Sequence, residues 1–172
     1  MSEPKGVCLV VGVGDGLGSA LARAFAADGH VVCMTRRARN LDALEAVAQS
    51  IRTAGGTAHA YGVDARAEDE MVELFARIER DIGPLEIVVF NIGANVRFGI
   101  RETTARVFTK VWEMACFSGF LAGREAARAM LPHGSGHDHL HGRHGQHPRP
   151  RRLCRLRRRQ AWPARCRPKH GA

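Results

Sequence analysis

Residues 6–130 of this 172-residue chain predict an α/β fold, a parallel sheet with helices on both faces. Three observations point there. Short β-branched runs alternate with longer stretches whose apolar residues recur every three or four positions. Asp28-Gly29, Gly55-Gly56 and Gly83-Pro84 stop the helical stretches. The connections leave room only for right-handed crossovers. An unrelated α/β layer arrangement stays open until the turns are read.

The elements follow in order. "GVCLVVG" (6–12) is a buried strand by length and β-branching. Leu17, Leu21 and Phe25, with Ala20 and Ala24 beside them, predict one face of a helix. "HVVCMT" (30–35) is a second strand, and Leu41, Leu44, Val47 and Ile51 stripe a second helix. "TAHAYGV" (57–63) is a weaker strand. Met71, Leu74, Phe75, Ile78 and Ile82 stripe a third helix. "LEIVVFN" (85–91) is a fourth strand, and Thr104 to Met130 a long helix.

The first strand runs into "VVGVGDGLGSA", with Gly12, Gly16 and Gly18 at the turn into the helix and Gly14 between them. Glycine allows a tight turn and a close backbone approach to a pyrophosphate, and the new helix's free N–H groups attract phosphate. Tight strand-to-helix turns need glycine anyway. Placement after the first strand favours cofactor binding over a plain turn.

The spacing Gly-x-x-x-Gly-x-Gly resembles that of the short-chain dehydrogenase/reductase family, and three later features agree. "VDA" places Asp64 where the family's aspartate meets the adenine. "FNIG" places Asn91 and Gly93 in the slots of its Asn-Ala-Gly motif. "VWEMACFSGFLAGREAARAML" is similar to its long fourth helix, commonly a subunit interface. The match covers about residues 6–131. It implies a Rossmann-like doubly wound parallel sheet of about four strands, incomplete for the family. It also implies hydride transfer between a nicotinamide and a carbonyl or alcohol carbon of a small molecule, and homo-oligomers through the fourth helix. The expected cofactor positions are Gly12, Gly16, Leu17, Gly18, Arg36, Arg37, Asp64, Asn91 and Gly93.

The end of the second strand bears on the dinucleotide. An acid there accepts from the ribose 2′-OH of NAD, whereas arginine pairs the 2′-phosphate of NADP. "MTRRAR" supplies Arg36 and Arg37 and no acid. NADP is favoured over NAD, against the plainer reading of solvated surface arginines.

The chain also departs from the family pattern. Val11 replaces a usual threonine, removing a hydrogen bond from the turn. Asp15 is benign as a helix N-cap but repulsive if it faces phosphate. Cys116 stands where the family's helix-four asparagine falls, and is read as a small buried thiol. In the family a tyrosine exchanges the proton, a lysine four residues later lowers its pKa, and an upstream serine orients the substrate oxygen. The single tyrosine, Tyr61, lies on the third strand, residue 65 is Ala, and no Tyr-x-x-x-Lys occurs in the 172 residues. This chain is therefore expected to lack turnover.

After residue 131 the composition changes. Residues 1–131 hold 15 Lys and Arg against 16 Asp and Glu, whereas 132–172 hold 11 against Asp138 alone, with seven of nine histidines. Low aliphatic content and high charge predict a disordered tail at 132–172, beyond a 1–131 NAD(P)-binding portion. Rereading the tail's codons one base out of phase permits "TIIFTGATAS", then an aromatic with Lys or Arg four codons later. These are a strand, a serine and a spacing of the family's kind, so a frameshift near 131–137 is expected. As encoded, "HDHLHGRHGQH" is read as adventitious for metal, and no metal site is assigned. "RPRRLCRLRRR" predicts weak nonspecific nucleic-acid binding. The rival function is a basic nucleic-acid-binding protein carrying an α/β body. Loss of later strands is expected to leave the fourth strand's edge unpaired, to expose Trp112, Phe117, Phe120 and Leu121 at least in part, and to cost solubility.

Five scattered cysteines without a CxxC pair argue against a disulfide framework and for a reducing compartment. The apolar run after Lys5 is too short to span a bilayer. A cytoplasmic location follows as the expectation, with no membrane partner.

Overall fold

The computed structural model describes residues 5–94, 96–133 and 137–140. Strands β1 (Val7–Val11), β2 (Val31–Arg36), β3 (Thr57–Gly62), β4 (Leu85–Phe90) and β5 (His137–Leu140) form one parallel sheet in the order β3-β2-β1-β4-β5. Helices α1 (Leu17–Ala27), α2 (Leu41–Thr53) and α3 (Glu68–Asp81) connect the first four strands, and α4 (Ala105–Trp112) continues through a wide π turn into α5 (Ser118–Met130). The expected Rossmann-like doubly wound architecture is the one observed.

All of β1 is buried because it is central and covered on both sides. Its alternation splits the core into two layers. Val7, Leu9 and Val11 meet Met71, Leu74 and Ile78 of α3 and Leu121 and Ala126 of α5. Cys8 and Val10 meet Ala22 and Ala26 of α1 and Leu44, Ala48 and Ile51 of α2.

Three packing expectations are corrected. The sheet-facing side of α1 is Gly18, Ala22 and Ala26, while Leu17 is exposed and Leu21 and Phe25 flank the contact. Small residues at that spacing let the helix axis approach the sheet, and the longer side chains splay sideways. Leu121 is fully buried, whereas Trp112 and Phe120 are exposed and Phe117 is half-buried. The π turn at Glu113–Phe117 accounts for the change of face. An extra residue per turn re-phases the helix, so α4 buries no residue and α5 buries Ser118, Leu121, Ala122, Glu125, Ala126, Ala129 and Met130.

The third correction concerns the edge of β4. It pairs with β5 from Ile87↔His137 to Phe90↔Leu140. Strand pairing draws on backbone N–H and C=O groups, which His and Asp supply as well as Val and Ile do. Residues 134–136 and 141–172 of the expected tail lie outside the described residues, and with them the arginine run and the part of the histidine run after Leu140.

Candidate functional site

Successive strands β1, β2 and β3 step one way across the sheet and β4 lies on the other side of β1. A crevice opens at such a reversal, at the carboxyl ends of the strands. Here it is a cavity of about 300 Å³. Gly12 to Gly14 line it after β1, Thr35 to Arg37 at the end of β2, Val63 to Arg66 after β3, and Asn91 to Gly93 after β4.

Gly12 turns the chain out of β1 at φ +92°, and a Cβ there would meet Ile92 Cγ1 at 2.5 Å. Its N–H donates to the Thr35 carbonyl at 3.2 Å and reaches the Thr35 hydroxyl at 3.3 Å. A hydroxyl from β2 thus serves the turn in which Val11 supplies none. Gly18 sits where α1 crosses the turn, and a Cβ there would lie 2.8 Å from Val13 Cα and 2.9 Å from the Gly12 oxygen. Both glycines are required by the protein's own packing.

Gly14 and Gly16 differ, because a Cβ on either would meet nothing within 4 Å. Gly16 is the N-cap of α1 and no side chain caps the helix. The Ser19 hydroxyl is turned the other way, donating to the Asp15 and Gly16 carbonyls at 3.1 and 2.9 Å. The Ser19 N–H donates to the Gly14 carbonyl at 3.2 Å, so within the first turn the N–H groups of Leu17 and Gly18 are the ones left for an anion, which the helix terminus favours. The residues present therefore fit a phosphorylated ligand.

Asp15 neither caps α1 nor stands alone. Its carboxylate, largely exposed, accepts from Arg36 Nη1 at 3.2 Å. Asp64 accepts from Arg66 Nε at 2.9 Å and Nη2 at 2.5 Å, and its own N–H donates to Glu70 Oε2 at 2.8 Å. The Arg66 hydrogen bonds hold the Asp64 carboxyl down at about 2, against the opposing effect of burial. Asn91 Nδ2 donates to the Gly12 carbonyl at 3.0 Å, and the Asn91 N–H to that of Val11 at 2.8 Å.

Of the expected positions, Gly12, Arg36, Arg37, Asp64, Asn91 and Gly93 line the one cavity. Gly16 and Leu17 lie exposed outside its lining, and Gly18 is buried beneath the turn. Sequence reasoning missed Thr35, Arg66, Met114 and Ser118, which also line it. Arg66 carried a signal, since a cation two residues after an expected ligand carboxylate is within hydrogen-bonding reach of it. Cys116 is exposed rather than buried, and it lies within the π turn, where it lines a shallow cavity with Phe90 of β4 and Gly119 and Phe120 of α5.

Tyr61 is placed away from this chemistry. It is buried in the layer beneath α3, with Arg77 over its ring at 5.2 Å. Burial pushes its phenol up to about 12, the direction opposite to that of a working base. Among the described residues no group of His, Cys, Asp and Glu could hold a metal, and no helix is long and apolar enough to cross a membrane.

Comparison with known proteins agrees with this geometry. A family model described as short chain dehydrogenase matches residues 6–137. The gluconate 5-dehydrogenase of Gluconobacter oxydans is 29% identical over 128 residues, covering 74% of this chain and 49% of that protein. The 2,3-dihydro-2,3-dihydroxybenzoate dehydrogenase of Bacillus subtilis is 32% identical over 136 residues, covering 76% and 49%. A crystal structure of a short-chain dehydrogenase from Rhodopseudomonas palustris superposes with a TM-score of 0.74 at 46% identity, covering 78% of this chain and 62% of that one. The chain spans about half the length of the curated relatives it matches.

Proposed function

The chain belongs to the short-chain dehydrogenase family, and from that premise we propose that its cavity holds NADP in preference to NAD, in a chain that does not itself turn over a carbonyl or alcohol. The observation that carries this reading is the pair Arg36 and Arg37 on the cavity wall beside the uncapped start of α1, with no acid at the end of β2. The α1 amides and the open backbone at Gly14 and Gly16 take the pyrophosphate. The two arginines take the 2′-phosphate. Asp64 faces the adenine, while Asn91 and Gly93 border the path toward the nicotinamide. When bound, the cofactor supplies the hydride donor or acceptor.

A proton must move with the hydride, and the chain's only tyrosine is buried and held in its neutral form. No lysine stands four residues after it. Binding without turnover is the consequence. Titration of the folded full-length chain with NADPH and NADH tests the first half, with tighter NADPH binding expected and tighter NADH binding overturning it. Incubation of mass-verified protein with carbonyl compounds and NADPH tests the second, and sustained NADPH oxidation overturns it. A frameshift near codons 131–137 accounts for the change in composition, and the nucleotide sequence there is expected to carry one base more than genes that continue into a serine and Tyr-x-x-x-Lys.

A further inference from the structure

Asp15 and Arg36 lie on different elements, 21 residues apart, yet form an ion pair of 3.2 Å at the mouth of the cavity. Asp15 sits on the turn between β1 and α1 with its side chain 87% exposed, and Arg36 is the last residue of β2 with its side chain 25% exposed. The exposed partner thus holds the more buried one, which lines the cavity.

The two side chains oppose each other in phosphate recognition. The Arg36 guanidinium is suited to a phosphate dianion, but its Nη1 is already given to a carboxylate. A phosphate drawing Arg36 away would also approach Asp15 well within a screening length, where like charges repel. Exposed ion pairs are weak, so the contact can open rather than block the site.

We propose that Asp15 is a specificity-determining residue, tethering Arg36 so that a 2′-phosphorylated dinucleotide must displace it, and thereby lowering the preference for NADPH over NADH. This rests on the reading that the cavity takes NAD(P). Asp15→Asn keeps the side-chain size and removes the charge. Relief of repulsion at the shared pyrophosphate raises both affinities alike and leaves the NADPH-to-NADH ratio unchanged, whereas relief of direct repulsion at the 2′-phosphate survives loss of Arg36, so the ratio measured with and without Arg36 isolates the tether.

The test is calorimetric titration of the full-length wild type, Asp15→Asn, Arg36→Gln and the double variant with NADPH and NADH, each checked for folding by circular dichroism. The expected result is a ratio raised about three- to tenfold by Asp15→Asn, with the gain abolished when Arg36 is Gln. A ratio unchanged by Asp15→Asn overturns the tether while leaving the cofactor reading intact. A gain that persists in the Arg36→Gln background also overturns it, because the effect then acts through another group. Folded wild type and variants that bind neither dinucleotide defeat the cofactor reading itself, and the tether with it.

Discussion

The Asn91 side chain donates its amide hydrogen to the carbonyl oxygen of Gly12 at 3.0 Å, tying the end of β4 to the turn after β1 across 79 residues of sequence. This bond fixes the turn after β1 against the segment after β4, both of which line the cavity. It also satisfies a part-buried carbonyl that the tight turn leaves without a helical partner.

Replacing Asn91 with Ala removes the donor and leaves the Gly12 oxygen unmet. The expected cost is about 1–2 kcal/mol of stability, with weaker dinucleotide binding as the turn loosens. Urea unfolding and NADPH titration check the two effects. An unchanged unfolding midpoint would remove the tie from the account.

Gly18→Ala sets two effects against each other. Alanine in a helix gains about 0.5–1 kcal/mol over glycine. The added methyl, however, meets backbone of Val13 and Gly12 at 2.8 and 2.9 Å, atoms that cannot swing aside. Overpacking of this kind costs about 1–3 kcal/mol and wins. A lowered urea midpoint is expected, and a raised one would show that α1 can slide.

The Asp64–Arg66 pair makes a pH-dependent contribution. Asp64 titrates lower in the folded chain than the ordinary 3.8, chiefly through the Arg66 hydrogen bonds. Its stabilisation is thus present above the unfolded value and is lost as the pH falls through the folded one, about 2. Partial exposure and solvent screening reduce it to about 1 kcal/mol. Arg66→Gln is expected to lower stability by that amount at neutral pH, with the difference from wild type vanishing toward pH 2. Thermal unfolding across that range measures it, and a pH-independent difference would mean the pair is not the cause.

Thiol reactivity reports the two sides of the fold. Burial pushes Cys8 and Cys33 up to about 12, so both are expected to stay unmodified when folded protein meets iodoacetamide near pH 8. Cys116 is exposed and is expected to react. Peptide mass mapping distinguishes them. A protected Cys116 would place a covering surface over the π turn.

Much of the architecture was legible because its signals are local. Apolar spacing and glycine stops located four strands and the helices between them, since a strand or helix declares its period within a dozen residues. That Gly12, Arg36, Arg37, Asp64, Asn91 and Gly93 would be neighbours was also readable, and they line one cavity. Each follows a strand at the same edge of a parallel sheet, so strand order alone brings them together. The π turn was not legible, because a single wide turn leaves the apolar spacing on either side intact. Cys116, within that turn, is exposed, and Leu121, just beyond it, is buried.

By itself, then, the amino-acid order determined the parallel α/β arrangement, the glycine turn and the want of a Tyr-x-x-x-Lys. Tertiary structure alone decided that Asp15 holds Arg36, that Arg66 grips Asp64, that Thr35 serves the Gly12 turn, and that His137–Leu140 pairs with β4. The physical reason is range. Secondary structure follows from neighbours along the chain, whereas a charge or a hydrogen-bonding group is partnered by whatever folding brings within about 3 Å of it.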